Sequence, residues 1–237
     1  MIDMRGLHKS FGSKRVLAGV DLSVAAGESL CVIGQSGTGK SVLLKCILGL
    51  ETADAGQVLW QGRPLDRRTL PDFLRHFGML FQGAALFDSL RVWQNVAFRL
   101  RQRMPDARAR AIAIDKMARV GLGPETADLM PAELSGGMAK RAGLARAIAD
   151  DPQVIFFDEP TTGLDPIRAR RINGLIRGIV RETGATAITI THDMDSVRAI
   201  GDRVALLQDG MIAWDGPVAG MDHAPAMAGF LGDEVAG

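Results

Sequence analysis

Cysteine is scarce in this chain, with two in 237 residues. Cys31 falls in an apolar run and Cys46 in a helical one, so both read as small buried apolar residues. They build neither a disulfide framework nor a metal-ligand cluster. Net charge is scarce too: 28 Lys and Arg against 27 Asp and Glu leave +1. That balance gives no reason to expect nucleic acid or an anionic membrane face as an electrostatic partner. No apolar stretch approaches the ~20 residues of a membrane span. Met1-Ile2-Asp3-Met4-Arg5 lacks the apolar run of a signal peptide. Neither an internal repeat nor a low-complexity linker is visible. The expectation is a cytosolic protein of one large domain, or one domain with subdomains. Its 47% hydrophobic residues suffice for a substantial core.

What the chain does have is Gly34-Gln35-Ser36-Gly37-Thr38-Gly39-Lys40-Ser41, a G-x-x-x-x-G-K-S phosphate-loop pattern. Leu30-Cys31-Val32-Ile33 before it is a short apolar strand, and Val42 to Leu48 after it has helical spacing. Such a loop turns backbone N–H groups toward a phosphate at a helix N-terminus, where the dipole also favours anions. The glycines permit the turn and the close approach of ligand. Lys40 would bridge the β- and γ-phosphates and the Ser41 hydroxyl would hold Mg²⁺. The bland alternative, a Gly-rich turn beside an exposed lysine, does not explain the flanking strand and helix.

Several other stretches are site candidates with a plainer reading beside them. Phe11, at an early turn, is equally suited to stack on a base or to fill the core. Gln82 ends the apolar strand Phe77 to Phe81, where parallel α/β sheets place ligand contacts, but it also reads as a solvated loop amide. Gly83 to Arg103 and Pro105 to Val120 look helical, with Asp106 as an N-cap. Leu86, Phe87, Leu90, Trp93, Val96 and Phe98 are more large apolar groups than a short surface helix needs, so an exposed subset would mark a partner surface. Leu134-Ser135-Gly136-Gly137-Met138 opens a helix running to about Asp150, either a second anion site or a simple N-cap. Val154-Ile155-Phe156-Phe157 reads as a strand buried on both faces. Asp158 and Glu159 follow it at once, suited to Mg²⁺ and to general-base work, or forming a solvated turn. Asp165 caps a helix with Pro166 in its first turn. His192-Asp193 ends the strand Ala185 to Thr191, and Asp209-Gly210 turns a hairpin between Val204 and Asp215. From Val218 onward the helical signal is weak.

Taken in order, these pieces resemble the ATP-binding-cassette ATPase, the motor subunit of ABC transporters, over nearly the whole chain. The motifs are the phosphate loop, Gln82, Leu134-Ser135-Gly136-Gly137, Asp158-Glu159, Gly163-Leu164-Asp165 and His192. The Leu-Ser-Gly-Gly element separates this family from other phosphate-loop ATPases. Met138 replaces the more common Gln after it. The runs Met79-Leu80-Phe81-Gln82-Gly83-Ala84-Ala85-Leu86-Phe87-Asp88 and Leu134-Ser135-Gly136-Gly137-Met138-Ala139-Lys140-Arg141 are similar to the Mla/Mce-type phospholipid transport ATPases, and Asp158-Glu159-Pro160-Thr161-Thr162-Gly163-Leu164-Asp165-Pro166-Ile167 to the Mce-associated members. Val42 departs from the many cassettes with a second hydroxyl there.

The resemblance implies an α/β phosphate-loop NTPase core of RecA-like, mainly parallel sheet, with an N-terminal antiparallel β subdomain and an inserted helical subdomain. It places core and β subdomain in about 1–82 and 151–217, the helical subdomain in about 83–150, and a tail in 218–237. It implies ATP and Mg²⁺. Phe11 and residues 34–41 with Val42 would hold the nucleotide, while Ser135, Gly136, Gly137, Met138 and Asp165 would contribute from a second copy in a head-to-tail dimer. Ser41, Gln82 and Asp158 would hold the metal. Glu159 would polarise the attacking water, with His192, Gln82 and Lys40 completing the catalytic set. Further implied partners are an integral membrane permease docking near Leu86, Leu90 and Trp93 and a periplasmic Mce-domain lipid-binding protein, with no nucleic acid. The chain would be peripheral on the cytoplasmic face of the inner membrane. An importer ATPase for another solute such as amino acids, or a soluble non-transport cassette, shares the catalytic motifs.

Overall fold

The computed structural model describes residues 1–228 and Phe230. In chain order the strands are β1 (Ile2–Phe11), β2 (Lys14–Val24), β3 (Ser29–Ile33), β4 (Ala55–Trp60), β5 (Arg63–Pro64), β6 (Phe77–Leu80), β7 (Val154–Asp158), β8 (Thr186–Ile190), β9 (Arg203–Gln208) and β10 (Met211–Pro217). The α-helices are α1 (Lys40–Ile47), α2 (Leu70–Arg75), α3 (Val92–Val96), α4 (Asp106–Arg119), α5 (Gly136–Ala147), α6 (Pro166–Thr183) and α7 (Met194–Ile200). The described residues form two compact units, residues 1–75 with the described residues from 186 onward, and residues 76–185.

The first unit holds two sheets. One is antiparallel in the order β2-β1-β4-β5. In β1 the buried Ile2, Met4 and Leu7 face the core while Arg5 is exposed, the alternation expected of a half-buried sheet. The other runs β10-β9-β3-β8, with β3 parallel to both neighbours through Val32↔Ile190 and Ile33↔Leu206. Every residue of β3 and β8 is buried, as a parallel sheet covered on both faces requires. The hairpin of β9 and β10 turns on Asp209 and Gly210, both at positive φ, 50° and 75°. Gly210 also accepts the Ala18 N–H at 2.8 Å, and a Cβ there would sit 2.8 Å from the Val16 carbonyl, so only glycine fits. Both cysteines are buried in this unit. The expected tail falls partly outside the described residues, and its described part has a short 3₁₀ turn over Val218–His223.

In the second unit β6 and β7 pair in parallel from Phe77↔Val154 to Leu80↔Phe157, with a Phe77–Phe156 ring contact at 5.2 Å. Helices α3 to α6 complete it. The helix expected over 83–103 is largely absent. Ala84 and Ala85 adopt positive φ, 61° and 48°, which breaks helical geometry, and only Val92–Val96 is α-helical. The buried Asn95 side chain holds the resulting loop. It accepts the Phe87 N–H at 2.7 Å and donates to the Phe87, Leu90 and Arg91 carbonyls. Asp106 opens α4 but is not its cap, because Arg101 takes its carboxylate at 2.9 and 3.1 Å. That guanidinium holds the Asp106 carboxyl below its ordinary pKa.

Candidate functional site

Within the first unit, the buried strand β3 delivers the loop from Gly34 to Gly39 and then α1. Gly34, Gly37 and Gly39 all have positive φ, 153°, 80° and 106°. A Cβ at Gly34 would meet the Leu207 carbonyl at 2.4 Å, and one at Gly39 would meet Val16 Cγ1 at 2.9 Å. Gly34 and Gly39 are therefore required by both conformation and space, and Gly37, which has open space around it, by conformation alone. Lys40 is buried, and its ammonium donates to the carbonyls of Gly34 at 2.5 Å and Gln35 at 2.8 Å. Thr38 Oγ1 donates to the Gln35 carbonyl at 2.9 Å. The lysine thus arches back over its own loop, the posture of a cation whose partner would be a phosphate seated in the turn. Gln35, Ser36, Gly37 and Ser41 are exposed, with Thr38 and Val42 half-buried.

His192 belongs to the same edge of this unit. The Thr191 N–H donates to the Val32 carbonyl at 3.3 Å, so β3 and β8 release the loop and His192 together, and the imidazole is exposed. Asp193 next to it turns inward to cap α7, accepting from the Asp195 N–H at 3.0 Å. Phe11, undecided from sequence, is 47% exposed at the end of β1, with the Lys9 ammonium 5.2 Å from its ring centroid. It is a surface ring and not core.

Within the second unit, β6 and β7 likewise end side by side. Gln82 is exposed just past β6, and Asp158 and Glu159 are half-buried at the end of β7. Glu159 has φ 47°, a left-handed conformation that costs a residue with a Cβ about 1–3 kcal/mol and must be held by its surroundings. Thr162 donates to it twice, from Oγ1 to Oε2 at 3.0 Å and from N–H to the carbonyl at 3.3 Å. Lys140 on α5 also donates to the Glu159 carbonyl, at 3.2 Å. Ser135 caps α5, accepting the Met138 N–H at 3.3 Å, with Ser135 and Gly136 exposed and Gly137 and Met138 half-buried. Asp165 caps α6, accepting from the N–H groups of Ile167 and Arg168 at 3.1 and 2.9 Å. Those bonds, Arg168 N–H first, hold its carboxyl below the ordinary range.

Among the described residues no group of three or more His, Cys, Asp or Glu is placed to hold a metal ion. The expected donors, one carboxylate at Asp158, one hydroxyl at Ser41 and one amide at Gln82, suit Mg²⁺ arriving with a nucleotide, because that ion takes few protein ligands and completes its shell with phosphate and water oxygens.

Comparison with known families matches residues 17–162 to the ABC transporter family. The chain belongs to it. The solved ATP-binding cassette MJ0796, a dimer in a post-hydrolysis state bound to ADP and Pi, superposes with a TM-score of 0.83 at 29% identity, covering 92% of this chain and 99% of that one. The cassette fold expected from sequence is the fold observed. Among curated relatives, the probable ribonucleotide transport ATP-binding protein mkl of Mycobacterium tuberculosis is 40% identical over 221 residues, 91% of this chain and 61% of that protein. The methionine import ATP-binding protein MetN of Brucella abortus is 40% identical over 222 residues, 92% of this chain and 60% of that protein. The cassette spans about three-fifths of the length of these relatives.

Two expectations about this cassette change with the structure in hand. Trp93, expected on the docking surface, is only 7% exposed, its ring covered by the guanidinium groups of Arg101 and Arg110 at 5.3 and 5.8 Å. Leu86 and Leu90 are half-buried, and the exposed apolar groups are Phe87 and Phe98, whose rings lie 4.6 Å apart. The sequence assigned no site role to Thr162, Lys140 or Arg146, the first two of which lie in the runs that carry the family resemblance. The last two share one face of α5 with Gly143, three residues apart each time, and that spacing was the available signal.

Proposed function

We propose that this cassette is the ATP-hydrolysing motor subunit of a membrane transporter that moves phospholipid between inner and outer membranes. The hydrolytic part rests on the end of β7, where Asp158 and a Glu159 held at positive φ leave a buried strand. The phosphate loop and Lys40 bind the β- and γ-phosphates, and the exposed Phe11 ring stacks on the base. Ser41, Asp158 and Gln82 would hold Mg²⁺, which would supply charge neutralisation at the phosphates. His192 contacts the γ-phosphate. Glu159 takes a proton from water as the water oxygen bonds to the γ-phosphorus and the bond to the ADP oxygen breaks, leaving ADP and phosphate. Ser135, Gly136, Gly137, Met138 and Asp165 of a second copy close the site, so that two helix N-termini face one nucleotide.

The cargo rests on Met138 and on the run from Met79 to Asp88, both similar to Mla/Mce-type ATPases. Exposing two acyl chains to water costs roughly tens of kcal/mol at about 0.8 kcal/mol per methylene, so a lipid cargo needs a shielded route. No helix among the described residues is long and apolar enough to cross a membrane. An integral membrane permease docked over Phe87 and Phe98, with a periplasmic lipid-binding partner beyond it, supplies that route, with the cassette peripheral on the cytoplasmic face. The second reading is import of another solute, favoured by the methionine importer's 40% identity. Affinity capture of the tagged protein from its native membranes in mild detergent, with mass spectrometry of proteins and lipids, separates the two. Recovery of a permease, a lipid-binding protein and enriched phospholipid supports lipid transport. A solute permease alone would discard the cargo and keep the motor.

A further inference from the structure

Lys140 stands apart from the residues assigned above. It lies one turn into α5 and is 6% exposed. Its ammonium donates to the Gln82 carbonyl at 2.5 Å and to the Glu159 carbonyl at 3.2 Å. These two residues sit 58 and 19 positions away in sequence, each just past the end of one of two paired parallel strands. One cation therefore ties three segments: the start of α5, the loop after β6 and the loop after β7. Burial lowers the pKa of this ammonium, while the Glu159 and Asp158 carboxylates pull it back up. A buried ammonium is costly to keep without such partners, and an apolar side chain would fill the space without that cost. Its retention points to the two bonds it makes.

The rest of this helix face grips the same loop. Gly143 brings α5 so close that an added Cβ would sit 2.9 Å from Leu80 Cδ1 and 3.2 Å from Ala84 Cβ. Arg146 donates to the Ala84 and Ala85 carbonyls, both at 2.6 Å, across the two residues with positive φ. Arg146 grips only that loop. Lys140 also reaches Glu159.

We propose that Lys140 is a positioning residue for ATP hydrolysis, pinning the backbones of Gln82 and Glu159 to the start of α5 so that the Glu159 carboxylate is aimed only while that helix end is in place. This rests on the hydrolytic reading above. It assigns Lys140 no contact with nucleotide or water. When Ser135, Gly136 and Gly137 engage the second copy's nucleotide, the same helix end sets both loops of its own chain.

The test is steady-state phosphate release by the full chain, with nucleotide affinity from a fluorescent ATP analogue and thermal unfolding on the same preparations. Lys140→Met is expected to lower kcat about tenfold or more, with KM and analogue affinity changed less than about threefold. Lys140→Arg, which keeps charge and several donors, is expected to recover at least about a third of wild-type kcat. A Lys140→Met enzyme within about twofold of wild type in kcat overturns the proposal. So does Lys140→Arg failing as badly as Lys140→Met, or turnover falling in step with nucleotide affinity and unfolding temperature, which marks a merely structural role. If Lys140→Met does not fold, Lys140→Gln, which keeps one donor group, is read by the same criteria. Wild-type protein that releases no phosphate, alone or with its captured partners, removes the hydrolytic reading and this proposal with it. A turning-over wild type with an indifferent Lys140→Met removes only the proposal.

Discussion

Replacing Glu159 by Gln changes one oxygen for a nitrogen at a position whose supports are nearly all independent of charge. The Lys140 ammonium and the Thr162 N–H both donate to the Glu159 backbone carbonyl, at 3.2 and 3.3 Å, and neither bond involves the side chain. Thr162 Oγ1, 3.0 Å from Oε2, can donate equally to an amide oxygen. The backbone at φ 47° is as strained with Gln as with Glu. The Lys140 ammonium loses one of the two carboxylate charges that favour it but keeps Asp158 and both of its carbonyl partners, so the folded state should lose about 1 kcal/mol, the scale of one exchanged hydrogen bond. What the amide cannot do is accept a proton from water. Loss of a positioned general base costs about 10²–10⁴-fold in rate, or roughly 3–5 kcal/mol of barrier at 1.36 kcal/mol per decade. The two effects differ several-fold, so they separate experimentally. Phosphate release should fall at least about a hundredfold, while ATP affinity and unfolding temperature stay close to wild type. Phosphate release within threefold of wild type would refute the assignment of Glu159 as the base. A collapse of affinity and stability together would refute the claim that its supports survive the change.

Asn95→Ala removes the side chain that satisfies the Phe87 N–H and three carbonyls, and should cost about 1–3 kcal/mol, read as a lowered denaturant midpoint with unchanged slope. An unchanged midpoint would mean water replaces Asn95 freely. Phe87→Asp should abolish co-purification of a membrane partner while leaving the isolated chain as stable as wild type, since the ring is 45% exposed; normal capture of the partner would place docking elsewhere. Asp165 has a depressed folded pKa, so its ionised form stabilises the fold above the unfolded pKa and that contribution is lost as pH falls through the folded value. Unfolding temperature followed from neutral pH to below about pH 4 should therefore fall less steeply for Asp165→Asn than for wild type, and parallel curves would contradict the linkage.

Local chemistry made much of this cassette readable from sequence. The phosphate loop is legible because its glycines, Lys40 and Ser41 fall at fixed spacing within eight residues, and the buried strands β3 and β7 because continuous apolar runs have few other homes. Caps were equally plain: Ser135 and Asp165 each bond to N–H groups two or three residues on. What failed depends on partners distant in sequence. The apolar spacing from Leu86 to Phe98 looks helical, yet Arg146, some sixty positions away, holds Ala84 and Ala85 in a non-helical turn. Trp93 is an exposed anchor by composition and a covered ring in fact, because Arg101 and Arg110 lie over it. The role of Lys140 stayed hidden for the same reason. Its meaning lies in two carbonyls that only the pairing of β6 with β7 brings near each other.

The burial of both cysteines has a practical side. Cys31 lies inside the all-buried β3, and Cys46 is 8% exposed with a thiol that burial holds above its ordinary pKa, so little reactive thiolate is present at neutral pH. A single cysteine introduced at Ile167, 66% exposed on the first turn of α6, would then be the dominant target for a maleimide dye or spin label in otherwise native protein. Only the side chain changes there, since the bond to Asp165 uses the Ile167 N–H. Two such labels, one on each copy, would turn the approach of two cassettes into a distance read directly by dipolar spectroscopy or energy transfer, with no need to strip the natural thiols first.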